Sequence, residues 1–279
     1  MVRREVLARN ALVAGYVAVI AAVLVFDSGR LWVWAGIIAS LPLFWVVGGF
    51  HLWRRICPLS FFSQIPRLLG RPGDRKVTGW LADNALLAQL GVMVLALSAR
   101  LLWINGSRLG LAAFLLAVAA LAIASGAVFR GKTWCNFLCP VGLVERVYTE
   151  PVRLLGTENS QCATCSACKT HCPDIDVERS YWKGTPDRDR TIAYFAWPGI
   201  VLGFYLHYWL QAGTWDWYFS GDWTRESDVA SKVLSTGWFF ADVPRLAAAP
   251  LTLVASGLAS YGLFSGGHRL ALRAARGPD

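Results

Sequence analysis

Seven cysteines, six of them in two closely spaced motifs, are the residues of this chain best suited to chemistry. Cys162, Cys165, Cys168 and Cys172 stand in the run QCATCSACKTHCPD, and its CxxCxxCxxxCP spacing is one that binds a [4Fe-4S] cluster. Two intervening residues let a tight loop curl around a cubane so that successive thiolates reach different irons. Pro173 then ends the loop by fixing its own φ and removing a donor. Structural zinc sites pair CxxC or HxxxH elements across a longer spacer, and a redox CxxC needs two cysteines alone. The second motif, CNFLCPVGL, sets Cys135 and Cys139 four apart on one helical face. Soft thiolates so placed suit copper or iron, and a dithiol cycling with a disulfide is the alternative. Cys57, in RRICPL, is the last; a buried cysteine in a membrane helix often serves simply as a small hydrophobe.

Seven thiols leave the fourth ligand open. All four of Cys162, Cys165, Cys168 and Cys172 can hold one cubane, with the other three acting separately. Alternatively Cys162, Cys165 and Cys168 take a remote ligand, Cys139 or Cys57, each of which precedes a proline. In a third arrangement Cys172 joins Cys57, Cys135 and Cys139 around a second cluster, as the last cysteine of such a run does in two-cluster proteins. The first leaves no ligand missing and is favoured. His171, inside the run, can donate toward a cluster sulfur and tune its potential.

The elements that must position these cysteines are membrane helices. Of the 279 residues 55% are hydrophobic and 16% charged, with 14 tryptophans, which is too apolar for an ordinary soluble domain. Six stretches are long enough to span about 30 Å of hydrocarbon: Ala8 to Phe26, Leu31 to Phe50, Ala85 to Ile104, Leu109 to Phe129, Thr191 to Leu210 and Leu246 to Phe264. The turn-rich links DSGR and NGSR fold the first four into two tandem hairpins. The fold class is thus an all-α integral membrane protein of about six transmembrane helices with a small cytoplasmic ferredoxin-like cluster loop. In blocks, residues 1–83 hold the first hairpin and its CP loop, 84–157 the second hairpin and CxxxCP edge, 158–190 the cluster segment, and 191–279 two further spans.

Lysine and arginine retained on the cytoplasmic side orient such a protein. Most of the 27 fall in the N-terminus, the loop around Arg54 to Lys76, the segment from Arg130 to Arg190 and the C-terminal tail. The opposite side keeps Arg30, Arg108, Arg225, Lys232 and Arg245, and Arg100 sits near the outer end of a span, where snorkelling is expected. Both termini and the cysteine run are therefore predicted cytoplasmic, in a bacterial inner membrane, with the first apolar segment retained rather than cleaved. That compartment also keeps thiols reduced. The basic charge of +9 is spread over these connections, so it marks lipid rather than nucleic acid as the partner. GxGxxG and Walker patterns are absent, so neither direct NAD binding nor ATP hydrolysis is supported and no nucleotide partner is expected. His51, His207 and His268 form no pair at matching depth for a transmembrane haem, and His207 reads as a hydrogen-bonded interface residue. The outer connection Gln211 to Arg245 is rich in tryptophan and reads as an interfacial belt or as a docking surface for an extracytoplasmic redox partner.

A weak internal repeat underlies the two hairpins. HLWRRICPLSFFSQIPRLLG follows the second span and TWCNFLCPVGLVERVYTEPVRLLG the fourth, each with CP, an amphipathic stretch and a proline before RLLG. By spacing from CP, Trp53 stands in the first copy where the second has Cys135. Hairpins closed by such a motif and followed by a ferredoxin run resemble the NapH, NosR and CcoG group of membrane-bound polyferredoxins over roughly Ala8 to Asp174. The resemblance implies electron transfer between a quinone pool and other redox subunits or proteins, or, in the CcoG branch, metal-ion reduction during oxidase assembly. Two features depart from the group: one ferredoxin run instead of two, and an incomplete first CxxxCP. The expected role is an electron-transfer subunit of an oxidoreductase complex, with quinone as a further cofactor; the alternative is an assembly factor handling copper or iron at Cys57, Cys135 and Cys139. Purified protein is expected to hold about four iron atoms and as much labile sulfide per chain, by colorimetric analysis; zinc without sulfide contradicts the expectation.

Overall fold

The computed structural model describes residues 3–149, 187–226 and 229–276. The chain is mainly helical, and five of its described helices are long and apolar enough to cross a membrane: Arg4–Val25, Gly29–Gly49, Ala85–Ile104, Arg108–Val128 and Arg245–Ala275. Outward-facing Val17, Leu95, Leu109, Leu116 and Leu263 give them an apolar, lipid-ready surface. A helix, Asp187–Ala212, does occupy the expected stretch Thr191 to Leu210, but it falls outside those five. Its charged head DRDR and its tyrosines, His207 and Pro198 dilute its apolar character.

Two compact units make up the chain. The first takes in the described residues up to Gln89 and those from Arg108 to Thr149. Here both short links are tied together, because Arg108 of NGSR pairs with Asp27 of DSGR. Gly29 is required in the latter link, since a Cβ there would lie 2.8 Å from the Ala22 carbonyl oxygen. The second span is not one helix to its end: Gly49, at φ 73°, breaks it, and a short continuation carries the chain to Ile56. Glu5 meets Arg55 at 2.6 Å in a mostly buried ion pair that ties the start of the first helix to that continuation. Gly126 brings the fourth span against the backbone of Ser63, where a Cβ would collide with the Ser63 carbonyl oxygen.

The second unit comprises Leu90–Ser107 and the described residues from Asp187 onward. Its centre is the pairing of Asp187–Ala212 with Arg245–Arg276. Ala193, Ala196, Ile200, Phe204 and Tyr208 recur at helical spacing and are buried. Gly199 and Gly203 form a GxxxG, and Ser256 and Ser260 are the small residues they meet. Such pairs let helix backbones approach closely where lipid offers no hydrophobic drive. Strands β1 (Thr236–Trp238) and β2 (Ala241–Pro244) pair antiparallel between the helices in sequence.

In this unit Arg100 turns inward rather than snorkelling. It opens a π turn, Arg100–Ile104, lies 4.4 Å over the Phe204 ring and 5.7 Å over Trp223, and donates to Asn105 Oδ1 at 3.0 Å. Asn105 in turn donates to the Tyr208 hydroxyl at 2.7 Å. Burial lifts the Tyr218 phenol above its ordinary pKa, Tyr205 adding to the shift and Arg100 opposing it. His207 is buried with Nδ1 3.2 Å from Thr252 Oγ1, which accords with its reading as a hydrogen-bonded residue. The tryptophan-rich connection thus sends Trp223 into the unit while leaving Phe219, Phe239 and Phe240 exposed.

Replacing Gly203 by Leu is expected to destabilise the protein by about 1–3 kcal/mol through overpacking, because a Cβ there meets Ser256 at 2.6 Å. Thermal unfolding in detergent measures it, and Gly262→Leu, which has nothing within 4 Å of its Cβ, should leave the midpoint unchanged.

Candidate metal centre

The two CP junctions adopt the same backbone. Cys57 has φ −57° and ψ 126°, and Cys139 has φ −68° and ψ 118°. The cause is local: a following proline bars its predecessor from the helical region. Pro58 and Pro140 then start the helices Pro58–Phe62 and Pro140–Thr149, where their missing N–H costs nothing.

Hydrogen bonds align the copies differently from residue counting. The Cys57 amide donates to the Trp53 carbonyl four residues back, and the Cys139 amide donates to the Trp134 carbonyl five residues back, both at 2.8 Å. Trp53 therefore corresponds to Trp134 and not to Cys135, and the second copy has one extra residue. The extra residue is accommodated as a π turn, Trp134–Leu138, a distortion often found at functional sites. Trp53 is an aromatic packing residue, edge-on to Phe44 and Trp45 at 5.5 and 6.0 Å.

The π turn frees one carbonyl, and other helices supply its partners. In an α-helix Cys135 O would accept from the Cys139 amide; here it accepts from Arg54 Nη2 at 3.1 Å and Gln89 Nε2 at 3.2 Å. Arg54 also donates to Asn136 Oδ1 at 2.6 Å. This arginine is 2% exposed and Gln89 is fully buried. Gly142 makes the close approach possible, since a Cβ there would sit 2.6 Å from Cys135 O and 3.0 Å from Gln89 Nε2.

Cys135 and Cys139 are buried together with Ala122 and Trp134, under Leu59, Phe62, Val118, Leu138 and Val141. Cys57 is half-buried. Among the described residues no three histidine, cysteine or acidic side chains come close enough to hold a metal. Cys162, Cys165, Cys168 and Cys172, and with them His171, lie outside the described residues.

The surroundings of the pair fit a sulfur-ligated iron centre. Soft donors lie in a buried apolar cluster, and the indole N–H of Trp134 is buried with no acceptor among the described residues. A buried donor in the same cluster as two cysteines is the kind that bonds thiolate or sulfide and tunes a centre's potential. The buried guanidinium of Arg54 braces the backbone that carries the pair. Two thiolates make half of a four-cysteine ligand set.

Residues 111–157 match a 4Fe-4S binding domain, a stretch that includes Cys135 and Cys139 and ends before Cys162. The chain is also 30% identical over 167 residues to the methylamine utilization ferredoxin-type protein MauN of Methylorubrum extorquens. That alignment covers 53% of this chain and 56% of the relative, so the chain spans a little over half the length of the protein it matches. No solved structure matches. The chain accordingly has a ferredoxin-type 4Fe-4S binding region and transmembrane-type helices, as an iron–sulfur electron-transport protein of the membrane would.

Arg54, Gln89 and Gly142 were not singled out from sequence. A polar Gln89 in an otherwise apolar span was the readable signal, as was the one-residue difference between WRRIC and WCNFLC. Gly142→Ala is expected to weaken iron retention by about 10–100-fold, the usual cost of disturbing residues that orient ligands. Chelator challenge of purified protein measures this; Gly15→Ala, whose Cβ meets nothing within 4 Å, should retain iron normally.

Proposed function

We propose that this chain is a membrane-bound iron–sulfur electron-transfer subunit that exchanges single electrons with a quinone or a partner redox protein. The carrying observation is that the stretch matching a 4Fe-4S binding domain contains Cys135 and Cys139, both buried in one apolar cluster. A [4Fe-4S] cluster, when bound, supplies one-electron transfer. Cys162, Cys165, Cys168 and Cys172 are its primary ligands, and Cys135 and Cys139 share in iron–sulfur ligation beside them. The apolar cluster of Ala122, Val118, Leu59 and Phe62 excludes water from Cys135 and Cys139, and the π turn carries Cys135 into it beside Trp134.

The basic connections support a cytoplasmic position for this edge, in keeping with NapH-, NosR- or CcoG-type organisation. About 30 Å of hydrocarbon separates that face from the other, so an electron destined for an outer acceptor needs a quinone or partner subunit as a bridge.

Electron paramagnetic resonance of the full chain in detergent tests the proposal. Reduction by a quinol analogue should produce a cluster signal, Cys165→Ser should abolish it, and Cys139→Ser should alter or abolish it. Copper binding or reduction that is lost in Cys135→Ser, with the cluster signal intact and unresponsive to quinol, would instead make the protein a metal-handling factor.

A further inference from the structure

The loop that follows the first CP junction is held by its backbone while its side chains stay in the open. The short helix Ile65–Leu68 ends in a Schellman cap, with Gly70 in the left-handed position at φ 73°. The Gly70 amide donates to Arg67 O at 3.0 Å and the Arg71 amide to Pro66 O at 2.8 Å. An apolar residue often follows the glycine of such a cap and packs back on the helix; here the residue is Arg71. The chain is then fastened to the end of the fourth span. The Gly73 amide donates to Gly126 O at 3.0 Å, the Arg75 amide to Val128 O at 3.3 Å, and the Arg130 amide to Arg75 O at 2.9 Å. Gly73 permits this approach, because a Cβ there would collide with the backbone of Val128 and Phe129.

These bonds fix the depth of the loop. Val128 is the last residue of the span Arg108–Val128, so Arg75 and Arg130 stand where hydrocarbon gives way to headgroups. Arg71, Arg75, Lys76 and Arg130 are all exposed, with Asp74 as the acid in their midst. Among the described residues none of these four cations forms an ion pair. Apolar side chains flank them: Leu68 is 67% exposed, Leu69 73% and Trp80, just before the third span, 62%. Leu121 and Val128, seven apart on the fourth span, are exposed on one face, so a lipid-facing stripe reaches the bond with Arg75.

A soluble acidic protein would match the cations but has no use for the leucines and the tryptophan. A leaflet with anionic phospholipid matches both, because its phosphates lie at the depth of the arginines and its acyl boundary beside the leucines, while an indole suits the headgroup level. We infer that Leu68–Lys76 together with Arg130 is a docking surface for anionic phospholipid, in which Leu68 and Leu69 enter the acyl boundary and the four cations take phosphodiester headgroups. The inference is independent of the electron-transfer reading and rests on the transmembrane-type helices. It also accounts for RLLG in the first copy of the repeat: the glycine caps the helix and the two leucines anchor it.

Native mass spectrometry of the full chain released from detergent, with phosphatidylglycerol or phosphatidylcholine added, tests the inference. Each cation near an anionic surface strengthens attachment about fivefold. Phosphatidylglycerol should therefore bind more than about tenfold tighter than phosphatidylcholine, and Arg75→Gln should weaken it about fivefold while Arg75→Lys should not. Leu68→Ser with Leu69→Ser should weaken phosphatidylglycerol and leave its preference over phosphatidylcholine intact. Arg225→Gln, an exposed arginine of the second unit, should change nothing. Equal retention of the two lipids overturns the inference, as does a preference that survives removal of all four charges. Should that quadruple variant fail to fold, Arg75→Gln and Arg130→Gln carry the test singly, and native retention in both overturns it. Displacement of phosphatidylglycerol by excess inorganic phosphate, with the leucine variant binding normally, would make this a simple anion site and overturn it too. So would charge variants that keep the lipid preference but slow reduction by an acidic ferredoxin, since the surface would then dock a protein.

Discussion

The peptide carbonyl of Cys135 is the point on which the cysteine edge depends. One extra residue between Trp134 and Cys139 forces a π turn, and the turn withdraws the amide that would ordinarily satisfy this carbonyl. A buried carbonyl without a donor costs about 1–3 kcal/mol, so the turn is tenable because Arg54 and Gln89 reach it from separate helices. Their arrival dictates much else. Gly142 must lack a side chain, and the break at Gly49 ends the second span before the short helical continuation that carries Arg54. The thiols of Cys135 and Cys139 are thereby presented from a distorted helix whose geometry is held from outside itself.

The symmetry of the two hairpins gives this arrangement its components. Each supplies a helix end, a CP junction with the same extended cysteine and a proline-started helix. Their asymmetry is what makes a site: one copy gains a residue and a thiol, the other keeps a regular turn and an arginine. The second unit is built on a different principle, the close approach of two helices through Gly199, Gly203 and Ser256, and it encloses a cation, Arg100, among aromatic rings.

Much of the architecture was legible because membrane spans announce themselves by length and apolarity. Ala85–Ile104 coincides with the expected stretch and the other four recognised spans begin or end within a few residues of it, apart from the longer tail after Phe264. The cysteine motifs were equally plain, since ligand chemistry depends on residue type and spacing. What stayed hidden depends on hydrogen-bond register. Counting back from CP put Trp53 opposite Cys135, because a residue count assumes an α-helix in both copies, and a π turn violates that assumption. Arg100 was expected at the interface for a similar reason: its depth in the span is readable from sequence, but the Asn105–Tyr208 pair and the rings of Phe204 and Trp223 that draw it inward are tertiary. The GxxxG of Gly199 and Gly203 could have been read directly, as small residues four apart in a span.

X-ray absorption at the iron edge of anaerobically purified full-length protein tests the central claim most directly. An iron–sulfur centre requires a first shell of sulfur around iron and a second shell of iron neighbours, both weakened or altered in Cys139→Ser. Iron bound by nitrogen or oxygen with no iron neighbour, or a preparation in which sulfur-ligated zinc takes iron's place, would contradict it.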